Sequence, residues 1–284
     1  MNRLNIQERA KILGCLVEGN SIRATARMTG ADEKTVLRLL AEFGTACHRL
    51  HDEKVRNVKS LRVQCDEIWA FCHAKEKNVP ADCKGVLGFG DVWTWTALCS
   101  DSKLIISYHV GFRDTQDALN LTDDLRKRLA NRVQLTTDGH RAYLVAVEES
   151  FGGDVDYAML VKLYGAPQGE GNERRYSPSE CTGARKTRIS GDPDHKHIST
   201  SHVERMNLNI RMGVRRFTRL TNAISTKIEN HTHALSLYFA YYNFGRVHQT
   251  SRVTPAMEAG LTDHIWSLEE LAALAEPAEK AALV

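Results

Sequence analysis

The sequence predicts an α/β core, a mixed sheet with helices, preceded by an all-α segment. In residues 1–46, apolar residues recur at helical spacing and capping residues separate the segments. Residues 61–110 contain three strand-like runs in succession, rich in branched and aromatic side chains. Residues 114–164 then alternate helical and strand-like segments, which is the pattern of an α/β domain.

Composition indicates a globular protein in the cytoplasm. The chain has 284 residues, of which 42% are hydrophobic and 26% charged, both ordinary values. It contains neither an apolar run of about 18 residues nor a signal-peptide core, so we expect no membrane partner. The seven cysteines include no Cys-x-x-Cys pair, which favours reduced thiols over disulfides or a zinc site.

Charge is unevenly distributed along the chain. Residues 171–220 carry eleven Lys and Arg against five Asp and Glu, a net charge of +6. Residues 1–60 carry eleven against seven, a net charge of +4, whereas residues 251–284 carry two against six, or −4. Two basic blocks predict a polyanionic partner that the protein contacts at two places.

The first basic block has the pattern of a helix-turn-helix. A first helix ends near Gly19, Ser21 caps a second helix, and Asp32 caps a third one after the turn at Gly30. The inward face of the third helix is predicted to be Val36, Leu37, Leu40 and Phe43. Near its N-terminal end, where base edges are usually read, it would present Glu33, Lys34, Thr35 and Arg38. The alternative is a three-helix bundle that contacts other proteins.

The order of the remaining elements is that of a ribonuclease H-like core, with three antiparallel strands followed by helix, strand, helix and strand. We therefore predict a helix-turn-helix domain at 1–46 and a polar helical linker at 47–60. The core domain would follow at 61–250, with a basic insertion loop at 165–197, and an acidic tail at 251–284.

Three carboxylates are candidates for one site. Asp66 lies inside an apolar strand, where a charge is costly unless it is paired or bound to metal. Asp138 ends the fourth strand, which lies beside the first in this topology, so the two carboxylates would converge. Glu204 begins a basic helix that could bring a third carboxylate. The alternatives are an arginine partner for Asp66, a simple Asp-Gly turn at Asp138, and a capping box between Ser201 and Glu204.

Three carboxylates in one cleft raise each other's pKa and need cations to stay ionised. Oxygen ligands suit Mg²⁺ or Mn²⁺, and two such ions can promote in-line displacement at a phosphodiester. The chain has no glycine-rich loop ending in Gly-Lys-Ser/Thr, so we expect no nucleotide cofactor. The partner would then be double-stranded DNA, and the cations predicted to bind it are Lys34, Arg38, Arg174, Arg175, Arg185, Lys186, Arg205, Arg211, Arg215, Arg216 and Arg219, together with Thr35.

Three short blocks resemble the signature blocks of DDE-type bacterial insertion-sequence transposases, and most closely the insertion-sequence-one family. The blocks are Asp66–Trp69, Thr137–Gly139 and Glu204–Arg211, the last reading Glu-Arg-x-Asn-Leu-Asn-x-Arg. The similarity covers about residues 60–245, and Tyr241–His248 followed by Thr254-Pro255 also resembles a C-terminal segment of such transposases. The chain differs from the family's founding member in lacking a cysteine zinc ribbon and in having a longer Asp138–Glu204 interval.

The resemblance implies a role for each block. Asp66, Asp138 and Glu204 would be the catalytic metal ligands. The reaction would be 3′-end cleavage of the element and strand transfer into target DNA, by a homo-oligomer that is at least a dimer. Two other hypotheses stay open: a metal-dependent nuclease that cuts without joining, and a DNA-binding repressor whose core is inert.

Overall fold

The computed structural model describes residues 4–165, 181–218 and 224–275. The strands are β1 (Arg62–Cys72), β2 (Gly90–Cys99), β3 (Ile105–Gly111), β4 (Gln134–Thr137), β5 (Asp156–Tyr164) and β6 (Cys181–Ser190). The helices are α1 (Ile6–Val17), α2 (Ile22–Thr29), α3 (Glu33–Lys54), α4 (Thr115–Arg128), α5 (Ala142–Phe151), α6 (Ser201–Gly213), α7 (Ile228–Ala240), α8 (Pro255–Glu258) and α9 (Leu268–Ala273). None of the described helices is long and apolar enough to cross a membrane.

The six strands form one mixed sheet in the order β3-β2-β1-β4-β5-β6. The first three strands pair antiparallel, while β1, β4 and β5 run parallel to one another. This order and these directions fit a ribonuclease H-like core, so the predicted mixed sheet with helices is confirmed. The topology also places β1 and β4 side by side at the centre of the sheet.

The sixth strand corrects one prediction. Residues 165–197 were expected to be a loop, yet Cys181–Ser190 pairs antiparallel with β5 along most of its length. Its side chains are mostly exposed and several are cationic, so neither alternation nor β-propensity marks it in the sequence. Backbone pairing with β5 determines the strand, and this edge of the sheet is basic. Residues 166–180 of the predicted loop lie outside the described part of the chain.

The predicted caps of the N-terminal helices form. The Ala24 amide donates to Ser21 Oγ at 3.1 Å, and the Lys34 amide donates to Asp32 Oδ1 at 2.9 Å. Gly30 ends α2 with φ +75°, a conformation that L side chains rarely adopt. The turn between α2 and α3 is therefore specified by local sequence.

The inward face of α3 differs from the prediction at one position. Val36, Leu40 and Phe43 are buried as predicted, but the Leu37 side chain is 38% exposed. Leu39, which is 2% exposed, takes its place in the core. Positions 36, 39, 40 and 43 form one helical stripe, and Leu37 lies beside that stripe.

Helix α3 continues through the predicted domain boundary at residue 46 and ends at Lys54. Its C-terminal half packs on α7, so closely that a Cβ at Gly44 would lie 2.5 Å from His233 Cα. The ring of His51 is also bonded to the Ile106 carbonyl of β3 at 3.0 Å. Buried side chains of α1 and α3 join those of the sheet in one hydrophobic cluster. The N-terminal helices are thereby packed on the core.

Two predicted helices near the C-terminal end are shorter than expected. Helix α6 starts at Ser201 as predicted but ends at Gly213, before the predicted end at Arg216, and a 3₁₀ turn follows at Arg215–Phe217. Helix α7 was predicted to span 222–242, whereas it covers Ile228–Ala240 and passes into a π-helical turn.

Candidate active site

The parallel pairing of β1 and β4 brings two of the predicted carboxylates together. Cys65 lies opposite Thr137 in this pairing, so Asp66, inside β1, and Asp138, directly after the end of β4, follow as neighbours. Both line one cavity of about 470 Å³, and Glu204 of α6 lines it as well. The structure thus places all three predicted carboxylates around a common space.

The tightest carboxylate cluster includes a residue that the sequence motifs did not single out. One oxygen from each of Asp66, Glu67 and Asp138 lies within 4.8 Å of the others. Glu67 is buried, and its Oε1 accepts bonds from Arg113 Nε at 2.8 Å and Nη2 at 2.6 Å. The sequence offered one signal for Glu67, namely that it is a second acidic residue inside the same apolar strand as Asp66. Strand alternation argued against it, because adjacent side chains point to opposite faces.

Crowding of negative charge perturbs this cluster. Burial, followed by repulsion from Glu67, Asp138 and Glu204, raises the pKa of Asp66 to about 8. Burial and repulsion from Asp138 raise the pKa of Glu67 to about 7, although Arg113 partly offsets them. Three oxygen donors whose ionised forms repel one another fit a hard divalent cation such as Mg²⁺ or Mn²⁺, which would relieve that repulsion.

The structure excludes the capping-box alternative for Glu204. Thr200 is the N-cap of α6, which makes Val203, and not Glu204, the third helical residue. Glu204 Oε1 accepts a bond from Thr200 Oγ1 at 2.7 Å, and Oε2 is ion-paired with Lys162 Nζ of β5. The carboxylate lines the cavity, but its bonds go to Thr200 and Lys162 and not to the other predicted ligands. It lies outside the tight cluster and is held by a lysine on the opposite wall.

Helix α6 is fastened to β1 by two side chains that the sequence did not single out. Gln64 Oε1 accepts the amides of His202 at 2.9 Å and Val203 at 3.1 Å, which satisfies free amides at the helix N-terminus. One helical turn later, Asn207 Nδ2 donates to Asp66 Oδ2 at 2.8 Å. These bonds fix the helix that carries Glu204 against the strand that carries Asp66.

Cations and aromatic rings complete the cavity wall. Arg113 and Lys162 both line the cavity, and the Arg113 guanidinium lies 4.6 Å from the ring centre of Trp93. The His140 ring stacks on Trp95 with centroids 5.7 Å apart. Both positive side chains are ion-paired with carboxylates of the site, Arg113 with Glu67 and Lys162 with Glu204.

The predicted DNA-binding residues are spread over several surfaces. At the start of α3, Lys34 and Arg38 are exposed and Thr35 is partly buried, and Arg38 pairs with Glu42 at 3.1 Å. On β6, Arg185 is exposed, whereas Lys186 Nζ donates to the His195 carbonyl at 2.9 Å. None of these five predicted residues lines the carboxylate cavity.

The cations in and after α6 divide in the same way. Arg205 is exposed, whereas Arg211 and Arg215 are partly buried. Arg216 Nε donates to Ser225 Oγ at 2.6 Å, and burial lowers its pKa to about 10. The predicted residues outside the described part of the chain are Arg174, Arg175 and Arg219.

No protein-family model and no curated protein sequence matches the chain. Among solved structures, it is similar to a Mos1 transposase paired-end complex with left transposon end, at 13% identity and a TM-score of 0.20, over 52% of this chain and 58% of that one. It is similar to a pre-cleavage Mos1 transpososome at 11% identity and a TM-score of 0.20, over 55% and 60%. The Mos1 strand transfer complex is similar at 10% identity and a TM-score of 0.23, over 84% and 78%. The matches thus span less than two thirds of the first two chains.

Proposed function

We propose that the protein is a DDE-type DNA transposase that cleaves the 3′ ends of a bacterial insertion sequence and joins them to target DNA. The observation that carries the proposal is the meeting of Asp66, Asp138 and Glu204 around one cavity. Each comes from the element that the sequence blocks assign to it: the first strand, the end of the fourth strand and a following helix. Nothing in the distances between these blocks along the chain requires the three carboxylates to meet in space.

The carboxylates supply the metal site in this proposal. Asp66, Glu67 and Asp138 would hold one divalent cation, and Glu204 would contribute to a second once released from Lys162. When bound, Mg²⁺ or Mn²⁺ neutralises these carboxylates and polarises phosphodiester oxygens. Arg113 and Lys162 would hold the non-bridging oxygens of the phosphate that enters the cavity, because both line it and both are of the cationic residue types that bind phosphate.

The N-terminal helices would bind the element ends. The turn at Gly30 joins α2 to α3 and leaves Lys34 and Arg38 exposed at the start of the longer helix, which would serve as the recognition helix of a helix-turn-helix. Joining two ends in one event requires two copies of the catalytic chain, so the active form would be a homo-oligomer. Neither step in this scheme needs a nucleotide. Cleavage is hydrolysis of a phosphodiester by water, which is favourable by itself, and strand transfer breaks one phosphodiester bond as it forms another.

The test uses DNA from both flanks of the coding region as substrate, with Mg²⁺ or Mn²⁺. We expect 3′-end nicks and joined products, and a loss of at least about 100-fold in rate for Asp66→Asn, Asp138→Asn and Glu204→Gln. Asp263→Asn, at an exposed carboxylate far along the chain, is the matched control.

Three outcomes would contradict the proposal in different ways. Cut DNA without joined product, even from pre-cut ends, would identify a nuclease. Specific binding without any cleavage would identify a repressor. Full metal-dependent cleavage by all three carboxylate variants would show that the active site lies elsewhere.

A further inference from the structure

A second cavity, of about 590 Å³, lies on the other side of α6 from the carboxylates. Glu204 lines the first cavity, whereas His202, Arg205 and Asn209 of the same helix line the second. The remaining walls come from the β2–β3 turn and from the segment after α7, which includes the Tyr241–His248 block that resembles a C-terminal segment of insertion-sequence transposases. We call this second cavity the α6 groove.

The α6 groove is basic. Apart from Tyr242, its ionisable lining residues are Lys103, His202, Arg205, Arg246 and His248, and no Asp or Glu is among the described residues that line it. A third cavity, of about 410 Å³, shares Lys103 and His202 with it and adds three more basic side chains: Arg62, Lys196 and His197. The one carboxylate there, Asp101, is ion-paired with Arg62. Basic side chains thus form a continuous track along two joined cavities.

These basic groups crowd one another. Lys103 Nζ lies 3.4 Å from His202 Nε2. Burial and the charges of Lys103 and Arg246 lower the pKa of His248. Asp101 offsets this repulsion in part at Lys103, and a bound anion would offset it further. The electrostatics therefore favour an anionic ligand at this place.

We propose that the α6 groove binds the phosphate backbone of a DNA duplex, as a site distinct from the carboxylate cavity. The track is open and runs through two joined cavities, so it suits a polyanion better than a single small anion. Arg and Lys side chains are the common protein partners of phosphate oxygens. Arg205 and Glu204 are consecutive in α6, so one helix would connect the two DNA-contacting surfaces. The inference rests on the proposed function, of which it names a second DNA contact.

The test compares Lys103→Gln/Arg246→Gln with a control, Lys54→Gln/Lys127→Gln, which removes the same charge from two exposed lysines on α3 and α4. The probe is a mixed-sequence DNA duplex, whose affinity is measured by fluorescence anisotropy over a range of NaCl concentrations. We expect the groove variant to bind about tenfold more weakly, with a slope of log K against log[NaCl] reduced by about 2. The control should keep the affinity and slope of the wild type.

A groove variant with the affinity and slope of the control would overturn the inference. If the double variant does not fold, the single Arg205→Gln variant should reduce the slope by about 1, and an unchanged slope would have the same meaning. Binding of polyglutamate that depends on Lys103 and Arg246, with unchanged DNA binding, would assign the groove to an acidic protein partner and overturn it too. Failure of this inference can be told apart from failure of the proposed function. The proposed function predicts metal-dependent DNA cleavage by the wild type, whatever the α6 groove binds.

Discussion

Replacing Asp66 with Asn separates two effects of its carboxylate: the loss of folding stability caused by its charge, and its proposed role as a metal ligand. In the metal-free protein this carboxyl is half-buried among other acids, and its pKa is raised from 3.8 to about 8. A group with a raised pKa in the folded state binds its proton more tightly when folded, so its contribution to stability is lost as pH rises from about 4 to about 8. Asn has the same shape and no proton to lose, so the variant should escape this loss.

The magnitude follows from the size of the shift. A raise of about four pKa units corresponds to roughly 5 kcal/mol at most, at 1.36 kcal/mol per unit, and to about 4 kcal/mol at pH 7. The introduced amide would also find a hydrogen-bond partner. Asn207 Oδ1 is buried and has no bond in the described residues, so a turn of the Asn207 amide would let this oxygen accept from the new side-chain NH₂. We expect the variant to be more stable than wild type by up to this amount at pH 8.

Urea unfolding at pH 5 and pH 8, with EDTA or with MgCl₂, measures the effect. Buried His51 and His231 have pKa values lowered to about 3 and titrate in the opposite sense, so the informative quantity is the difference between variant and wild type. Without metal, that difference should grow from pH 5 to pH 8. With Mg²⁺ it should shrink or reverse, because the cation binds the ionised carboxylates of the wild type.

Two results would refute the reasoning. A free-energy difference that does not change between pH 5 and pH 8 without metal would mean that Asp66 is not held in a repulsive, poorly hydrated place. Equal stabilisation of both proteins by Mg²⁺ would mean that Asp66 is not a ligand. Asp263→Asn should behave as wild type in every condition, since that side chain is almost fully exposed.

Three further changes test other contacts. Lys162→Met removes the cation that competes with metal for Glu204, so Mg²⁺ should bind about tenfold more tightly by calorimetry. DNA cleavage should fall, because Lys162 would also hold the phosphate. An unchanged metal affinity would contradict the competition. Gln64→Leu leaves two amides at the start of α6 without acceptors and should lower the free energy of unfolding in urea by about 2 kcal/mol. Gln64→Glu keeps an acceptor oxygen, so at high pH this control should change the free energy of unfolding little. Gly44→Ala places a methyl group against the α7 backbone and should cost about 2 kcal/mol, despite the better helix propensity of Ala; a more stable variant would mean that the helices can separate.

The sequence could place Asp66 and Asp138 because their positions depend on regular features. Branched and aromatic runs mark the strands, and the order of elements predicts that β1 and β4 are neighbours, so a carboxylate inside β1 comes close to one at the end of β4. Glu67 could not be found in this way. Its role depends on how Arg113 and the end of β4 lie around it, and alternation along the strand assigned it to the other face.

The limits of the helices depended on packing that the sequence does not display. Residues 47–54 were predicted as part of a polar helical linker, yet they continue α3, which packs against α7 at Gly44 and against β3 at His51. Strand β6 likewise exists because β5 offers an edge for pairing. In both cases the partner lies far away in sequence, where local propensity holds no information.

The attachment of α6 to β1 determines how the site can rearrange. With Gln64 holding the helix N-terminus and Asn207 holding its next turn, the helix cannot slide without breaking three hydrogen bonds. Glu204 can then move toward the other carboxylates only by rotating its side chain away from Lys162. Side-chain rotations take picoseconds to nanoseconds, whereas helix shifts take microseconds to milliseconds. Completion of the metal site is thus expected to be fast compared with any domain motion, and cation arrival, not protein rearrangement, would set its rate.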